Sequence, residues 1–351
     1  MPSHSDIAEP LPSAPVRWGI LGTANIARTR MIPALQSSDR SQVLGLASRD
    51  LGSARRAAQE LNIPRAYGSY EELLADPDVD AIYNPLPNHL HVPWTARAAR
   101  AGKHVLCEKP IALSADEART LLAVRDETGV QICEAFMVRS HPRWHAAKAL
   151  VTAGRIGELR MISGHFSYAK KNETNIRSKV EWGGGALLDI GCYPTMLSRW
   201  LYDAEPTDVM ATIDRDPATR VDRFVSAILR FRSGTATFTC SGQLALHQFM
   251  KLMGTTGRIE VDAPFNPPDA LPSALVIDDG RDLVGGGSEH VAFPMVNQFA
   301  AQADAFMDAI RGLRPVPVTL EDSIGNMAVL DALFRSAESG RWESPQGRGV
   351  W

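Results

Sequence analysis

Four cysteines in 351 residues, Cys107, Cys133, Cys192 and Cys240, with no CxxC pair among them, exclude a disulfide framework and a cysteine-built zinc site. Three of them lie in apolar stretches, where a thiol packs as a small hydrophobe, which suits a reduced, cytoplasmic setting. Charge of one sign is also missing: 37 Lys and Arg against 40 Asp and Glu leave a formal net charge of -3, and the arginines are scattered. No broad field therefore draws a polyanion, and neither nucleic acid nor a membrane surface is an expected partner. No apolar run approaches the ~20 residues of a membrane helix. Residues 1–15, rich in Pro and Ser and carrying acids, lack the basic start and apolar core of a signal peptide. HExxH, a Gly-x-Ser-x-Gly elbow and a Walker loop are absent too, which removes support for metallopeptidase, hydrolase and kinase readings.

The composition that remains is 44% hydrophobic and 22% charged, enough for two domains with separate cores. Strand-like and helix-like patterns alternate from residue 16 to about 136. Strand 16–21 runs through a turn at Gly22 into a helical segment ending near Leu35, and strand 43–47 precedes Asp50, the N-cap of a helix to Leu61. A short helix at 70–74, a strand at 79–83, a helix at 91–101 and a strand at 104–107 follow. A capping box, Ser114 to Glu117, opens a helix to about 127, and strand 130–136 closes the series. Such alternation predicts an α/β, doubly wound parallel sheet. From about residue 155 the pattern becomes strand after strand, at 158–168, 207–213, 224–231, 235–242, 249–261 and 274–278, as in a mostly antiparallel sheet. A helix at 185–200 interrupts it, and helices at 298–311 and 320–337 finish the chain. The division expected is an arm over 1–15, a doubly wound domain over 16–136 and a second, strand-rich domain over 137–351.

Three places carry candidate chemistry. The turn Gly22-x-Ala24-x-x-Ala27 follows the first strand, and its backbone through Thr23, Ala24, Asn25 and Ile26 leads into a helix N-terminus suited to a pyrophosphate. Alanines replace two of the fingerprint's glycines, so an ordinary βα connection remains the alternative. At the end of the second strand, where an NAD site places an acid, stand Ser48 and Arg49. Arg49 can make charge-assisted contacts to a 2'-phosphate worth roughly 1.5 to 3 kcal/mol, which points to NADP; the plain alternative is an arginine solvating a loop. Lys109, in Glu108-Lys109-Pro110, projects from the carboxyl edge of the sheet, where open α/β sheets bind ligands. Far along the chain, three glycines at 183–185 allow close approach of backbone to a ligand, and Asp189 and Tyr193 share a helical face. Tyr193 packing as a half-buried aromatic beside Ile190 and Leu197 is the alternative there. His89-x-His91 and His141-x-x-x-His145 have ligand spacing but no accompanying acid or thiol set, so no metal is expected.

Taken together, residues 19–27, the Glu108-Lys109-Pro110 signature and residues 183–193 resemble the glucose-fructose oxidoreductase / inositol dehydrogenase (Gfo/Idh/MocA) family, over roughly residues 16–340. Tyr193, where many members carry His, is similar to the branch of glucose-fructose oxidoreductase, NADP-dependent aldose dehydrogenases and dimeric dihydrodiol dehydrogenase. The resemblance implies a Rossmann domain, a C-terminal α/β domain whose open sheet makes a homodimer or higher homo-oligomer, and a site between the domains. It implies Lys109 and Tyr193 as the catalytic pair, Asp189, Arg139 and Phe166 on the substrate side, and Asn84, Pro85, His89 and Glu108 beside NADP. The activity implied is oxidation of the anomeric hydroxyl of an aldose, xylose or glucose in type, to a lactone, with a second sugar as an optional hydride acceptor. Oxidation of a trans-dihydrodiol and a non-catalytic sugar or nucleotide sensor are the alternatives.

A magnitude bears on this chemistry. A phenol ionises near 10, but an ammonium ~4 Å away at an effective dielectric of ~20 stabilises its anion by roughly 4 kcal/mol, which would bring it to about 7 before burial opposes the shift.

Overall fold

The computed structural model describes residues 14–169 and 175–345; of the expected arm over 1–15 only Ala14 and Pro15 fall within the described residues. The first half contains β1 (Val16–Leu21), α1 (Ile32–Gln36, entered through a π-turn over Ala27–Met31), β2 (Ser41–Ala47), α2 (Leu51–Glu60), β3 (Arg65–Tyr67), α3 (Tyr70–Ala75) and β4 (Ala81–Asn84). It continues with α4 (His91–Arg100), β5 (His104–Cys107), α5 (Ala115–Thr128) and β6 (Ile132–Glu134). Neighbouring strands pair in parallel in the order β3-β2-β1-β4-β5-β6. The order reverses between β1 and β4, which opens a crevice at their carboxyl ends. Trp18, Ile20, Leu46, Ile82, Val105 and Leu106 are buried, as strands covered on both faces require. Helices start where short polar side chains accept from the first turn: Asp50 from the Ser53 amide, Ser69 from Glu72 and Ser114 from Glu117.

The second half holds α6 (Pro142–Thr152), β7 (Leu159–Ala169), α7 (Cys192–Tyr202, entered through a π-turn over Leu187–Gly191), β8 (Asp208–Arg215), β9 (Asp222–Arg230) and β10 (Thr235–Ser241). After these come β11 (Gln243–Gly254), β12 (Arg258–Asp262), β13 (Ser273–Asp278), β14 (Ser288–Phe293), α8 (Gln298–Ile310) and α9 (Leu320–Ser339). The eight strands form one sheet, β14-β13-β12-β11-β7-β10-β9-β8, antiparallel except for the parallel pair β7 and β10. The two last helices reach back to the first half: Phe306 of α8 packs on Trp18 of β1 with ring centroids 5.8 Å apart, and Asp331 of α9 accepts from the Ala115 amide that opens α5, at 2.8 Å.

Local patterns missed β3, β14 and α6, and the single strand expected over 249–261 is a hairpin. The chain reverses between Gly254 and Gly257, whose backbones bond at 2.9 Å, because a Cβ on Gly254 would stand 2.0 Å from the Ile156 carbonyl oxygen and one on Gly257 2.5 Å from that of Asp278. The start of α6 was signalled by Pro142 at its first turn, with His141 accepting from the Arg143 amide. Among the described residues no helix is long and apolar enough to cross a membrane, and no group of three or more His, Cys, Asp or Glu side chains is arranged around a metal position.

Candidate active site

The crevice begins at Gly22, whose φ of 81° lies in the left-handed region and whose missing side chain leaves room a Cβ would fill, 3.1 Å from Leu86 Cδ2 and 3.6 Å from the Tyr70 hydroxyl. Thr23, Ala24 and Ile26 are half-buried and Asn25 is exposed, so backbone ahead of the first helix is open to a ligand. At the end of β2, Ser48 is half-buried and Arg49 exposed. Burial raises the Tyr70 phenol, and Arg49, hydrogen-bonded to it, pulls the other way, which places the guanidinium on the same side as the Gly22 turn. Asp50 is engaged by its own helix: its Oδ1 accepts from the Ser53 amide at 2.7 Å and the Ser53 hydroxyl at 2.6 Å. A cation without a competing carboxylate at this edge fits a dinucleotide carrying a 2'-phosphate.

The Lys109 ammonium, 12% exposed, joins the two halves. It donates to the Asp189 carbonyl oxygen at 2.5 Å and approaches Asp189 Oδ1 at 3.4 Å, and it lies 5.0 Å from the centroid of the Tyr193 ring. Asp189 Oδ2 takes the Arg177 guanidinium at 2.8 Å and the Tyr168 hydroxyl at 2.6 Å. Burial opposes the charge on Asp189, yet Lys109 and Arg177 outweigh it and hold the carboxyl well below its ordinary range. Burial likewise opposes charge on Lys109, but Tyr193 when ionised, and Asp189 at all times, keep the amine above its usual value, a fixed cation. Tyr193 sits in an aromatic box of Phe136, Phe265 and Phe166, at centroid distances of 5.3, 5.4 and 5.9 Å, and its hydroxyl donates to Met137 Sδ at 3.5 Å. Burial pushes this phenol up and Lys109 lowers it without cancelling the effect. The drop to about 7 that the lysine alone would produce is thus overcome, since part of the ammonium's field is spent on Asp189 and a thioether is a weak partner for the oxygen.

Other anticipated residues fall in differing places. Glu108 is half-buried, accepts the Tyr83 hydroxyl at 2.5 Å and is raised by burial. Asn84 is fully buried: its amide donates to the His91 carbonyl at 3.1 Å and to Thr95 Oγ1 at 3.2 Å, and its oxygen accepts from the Leu86 amide at 3.3 Å, so its side chain shapes the loop from within. Pro85 is buried beside it. His89 stacks on Trp182 at 5.2 Å, linking the loop after β4 to the second half. Arg139 is engaged elsewhere, paired with Asp322 at 2.7 Å and lying 4.5 Å from the centre of the Trp200 ring. Phe166 is buried against Tyr193 and Phe265.

The glycines at 183–185 serve packing rather than ligand approach. Cβ atoms there would stand 2.4 Å from Leu113 Cδ2, 2.6 Å from the Arg177 carbonyl oxygen and 1.9 Å from Asp222 Oδ1, so the space they leave is filled by the chain itself. Asp222 Oδ2 accepts from the Leu187 amide at 2.6 Å and so anchors the helix that carries Asp189 and Tyr193. Gly185 also has a φ of 122°. Gly185→Ala is therefore expected to cost about 3 kcal/mol through overpacking and backbone strain, read as a lowered urea midpoint. Met137, Tyr83 and Phe265 escaped the sequence, and Arg177 and Tyr168 fall in the stretch 166–179, where spacing points to pocket side chains without orienting them. Strand alternation could have found Tyr168, which shares the inward face of β7 with Phe166; nothing in the spacing singles out the rest.

Comparison with known proteins gives both halves the same family. Residues 16–136 match the Gfo/Idh/MocA oxidoreductase family, NAD-binding Rossmann fold, and residues 144–260 match the GFO/IDH/MocA C-terminal domain. The chain is similar to an uncharacterised oxidoreductase of Rhizobium meliloti, 46% identical over 94% of this chain and 99% of that one. It is 37% identical to a D-xylose 1-dehydrogenase (NADP(+)) of Haloferax volcanii, over 92% of this chain and 98% of the relative. Among solved structures, a 3-ketoreductase from Actinomadura kijaniata in complex with NADP and TDP-benzene is similar with a TM-score of 0.83 and 33% identity, over 92% and 98% of the two chains.

Proposed function

The chain belongs to the Gfo/Idh/MocA oxidoreductase family, and we propose that it is an NADP-dependent dehydrogenase oxidising the anomeric hydroxyl of a free aldose, xylose or glucose in type, to the lactone. One observation carries this reading: a permanently charged lysine from the first half lies against a buried phenol from the second, at the rim of a crevice suited to a dinucleotide. When bound, NADP supplies a nicotinamide ring that takes up hydride in oxidation and returns it in reduction. In oxidation Tyr193 acts as the phenolate, which Lys109 stabilises, and takes the proton of the sugar hydroxyl; in reduction the phenol donates that proton and Lys109 stabilises the phenolate left behind. Asp189 holds Lys109 in place, and Arg177 and Tyr168 in turn hold the Asp189 carboxylate through its other oxygen. Phe136, Phe166 and Phe265 exclude water from the phenol's surroundings. The 37% identity to a xylose dehydrogenase favours a free aldose over the dihydrodiol alternative.

The cofactor preference rests on Arg49. Arg49→Ala is expected to raise the KM for NADP roughly 10- to 100-fold, the loss of one charge-assisted contact, and to leave that for NAD nearly unchanged; initial rates with both cofactors check it. Self-association through the outer face of the eight-stranded sheet, which exposes Met161, Ile228 and Met253, is part of the same reading. So is a cytoplasmic setting, given four buried, unpaired cysteines.

The test is to purify the protein, release any retained nucleotide by denaturation, and screen aldoses, trans-dihydrodiols and nucleotide-linked keto sugars for change in nicotinamide absorbance with NADP and NAD. Turnover of aldoses with NADP supports the proposal, and turnover that begins with enzyme-held cofactor and needs a second sugar places it among sugar-to-sugar oxidoreductases. Turnover confined to keto sugars or diols overturns the substrate class. Binding of sugar or nucleotide without turnover favours a sensor.

A further inference from the structure

We propose that His91 and Glu134 are positioning residues for Lys109, gripping from both edges the peptide group between Pro110 and Ile111 that follows it. His91 Nδ1 lies 2.6 Å from the Pro110 carbonyl oxygen, and Glu134 Oε1 accepts from the Ile111 amide at 2.8 Å. Both side chains are 1% exposed. An imidazole and a carboxyl group are costly to bury, and the usual compensation is a specific hydrogen bond. Burial pushes His91 down to about 4, against the pull of its two carbonyl neighbours. Burial pushes Glu134 up to about 7, against the Ser323 hydroxyl and the Ile111 amide.

The position of this peptide gives the grip its purpose. Upstream of Lys109 the chain is still tied to the sheet, since the Glu108 amide donates to the Asn84 carbonyl at 3.0 Å. Downstream stands a proline without an N–H, so the peptide between Pro110 and Ile111 is the first whose two polar groups can both be anchored. With both ends fixed, the backbone from which Lys109 reaches the Asp189 carbonyl is held in place. His91 also ties this loop to the cofactor side. Its Nε2 lies 2.7 Å from the Leu86 carbonyl oxygen, and the Leu86 side chain packs where a Cβ on Gly22 would stand. A neutral ring donates to only one of the two carbonyls at a time, so the tautomer decides whether His91 is bonded to the lysine loop or to the loop beside Gly22.

The proposal rests on Lys109 being catalytic, and the test separates the two claims. His91→Leu, His91→Asn, Glu134→Leu and Glu134→Gln are made in the full chain, and kcat, sugar KM, the dissociation constant of NADPH and the thermal midpoint are measured. A displacement of ~1 Å at a reacting group can cost about 10²-fold, so the leucine variants are expected to lose 10- to 100-fold in kcat with sugar KM within about three-fold, and Glu134→Leu, which touches only the lysine loop, also to keep NADPH affinity within about three-fold. Glu134→Gln, whose amide oxygen still accepts from Ile111, keeps most of the activity. His91→Asn, which reaches one carbonyl of the two, falls between and carries the test if His91→Leu does not fold. In a Lys109→Met background the same substitutions add less than about two-fold, because the group they position is gone. Unchanged kcat in the leucine variants, a Glu134→Gln as impaired as Glu134→Leu, or undiminished losses in the Lys109→Met background would each overturn the clamp. A fully active Lys109→Met protein would overturn the role of Lys109 itself.

Discussion

Tyr193→Phe is expected to lower kcat about 10²- to 10⁴-fold, the contribution of a positioned general acid or base, while NADPH binds as before. The substitution keeps the ring inside its box of Phe136, Phe166 and Phe265 and removes one oxygen whose partner is a thioether, so the thermal midpoint should hardly move. The wild-type pH profile carries the same signature. Because burial keeps the phenol above its ordinary value, the protonated form dominates at neutrality. Oxidation, which needs the phenol to accept a proton, should rise with pH through the alkaline range, and reduction, which needs it to donate one, should stay level there and fall only as the phenol ionises. Tyr193→Phe should erase that dependence in both directions. Rapid-mixing measurement of nicotinamide absorbance reads the chemical step directly, and a Phe variant within ten-fold of wild type would remove Tyr193 from the mechanism.

Lys109→Met is expected to lower kcat by up to roughly 10³-fold, the ceiling being the ~4 kcal/mol that an ammonium at ~4 Å and an effective dielectric of ~20 gives a phenolate, less the share of its field taken up by Asp189. Methionine keeps most of the stem, so the loss is of charge. Unlike Tyr193→Phe, this change should also destabilise the fold. Asp189 is buried and shared by Lys109, Arg177 and Tyr168, and removal of one cation leaves its carboxylate less fully compensated. A thermal midpoint lowered together with kcat, with Tyr193→Phe lowering kcat alone, is the distinguishing pair of results. Lys109→Met with kcat within ten-fold of wild type would show that the ammonium's field does not assist the proton transfer.

Much of the fold was legible because its signals are local. Asp50, Ser69 and Ser114 announce helix starts by what their side chains do three residues on, and the apolar runs of the parallel strands reflect burial on both faces. Where a boundary depends on distant contacts, the pattern fails. The hairpin within residues 249–261 turns at Gly254 and Gly257 because the backbones of Ile156 and Asp278 come close, and no window of sequence holds those pairs. The glycines at 183–185 looked like a ligand cradle and are filled by Leu113, Arg177 and Asp222 instead. Asn84 and Arg139 are the right residue types for ligand contact, yet one is bonded inward to His91 and Thr95 and the other is paired with Asp322.

Residue order alone determined the doubly wound first half, the strand-rich second half, the cation at the end of β2 in place of an acid, and the presence of a lysine and a phenol suited to proton transfer. Tertiary structure decided their electrostatic state: that Asp189 takes up part of the lysine's field, that Arg177 and Tyr168 join the same carboxylate, and that burial keeps the phenol protonated. The division has one physical cause. Hydrogen-bonded periodicity and capping act over a few residues, whereas charge coupling and desolvation depend on distances between groups that lie far apart in the chain and are set only when the two halves close on each other.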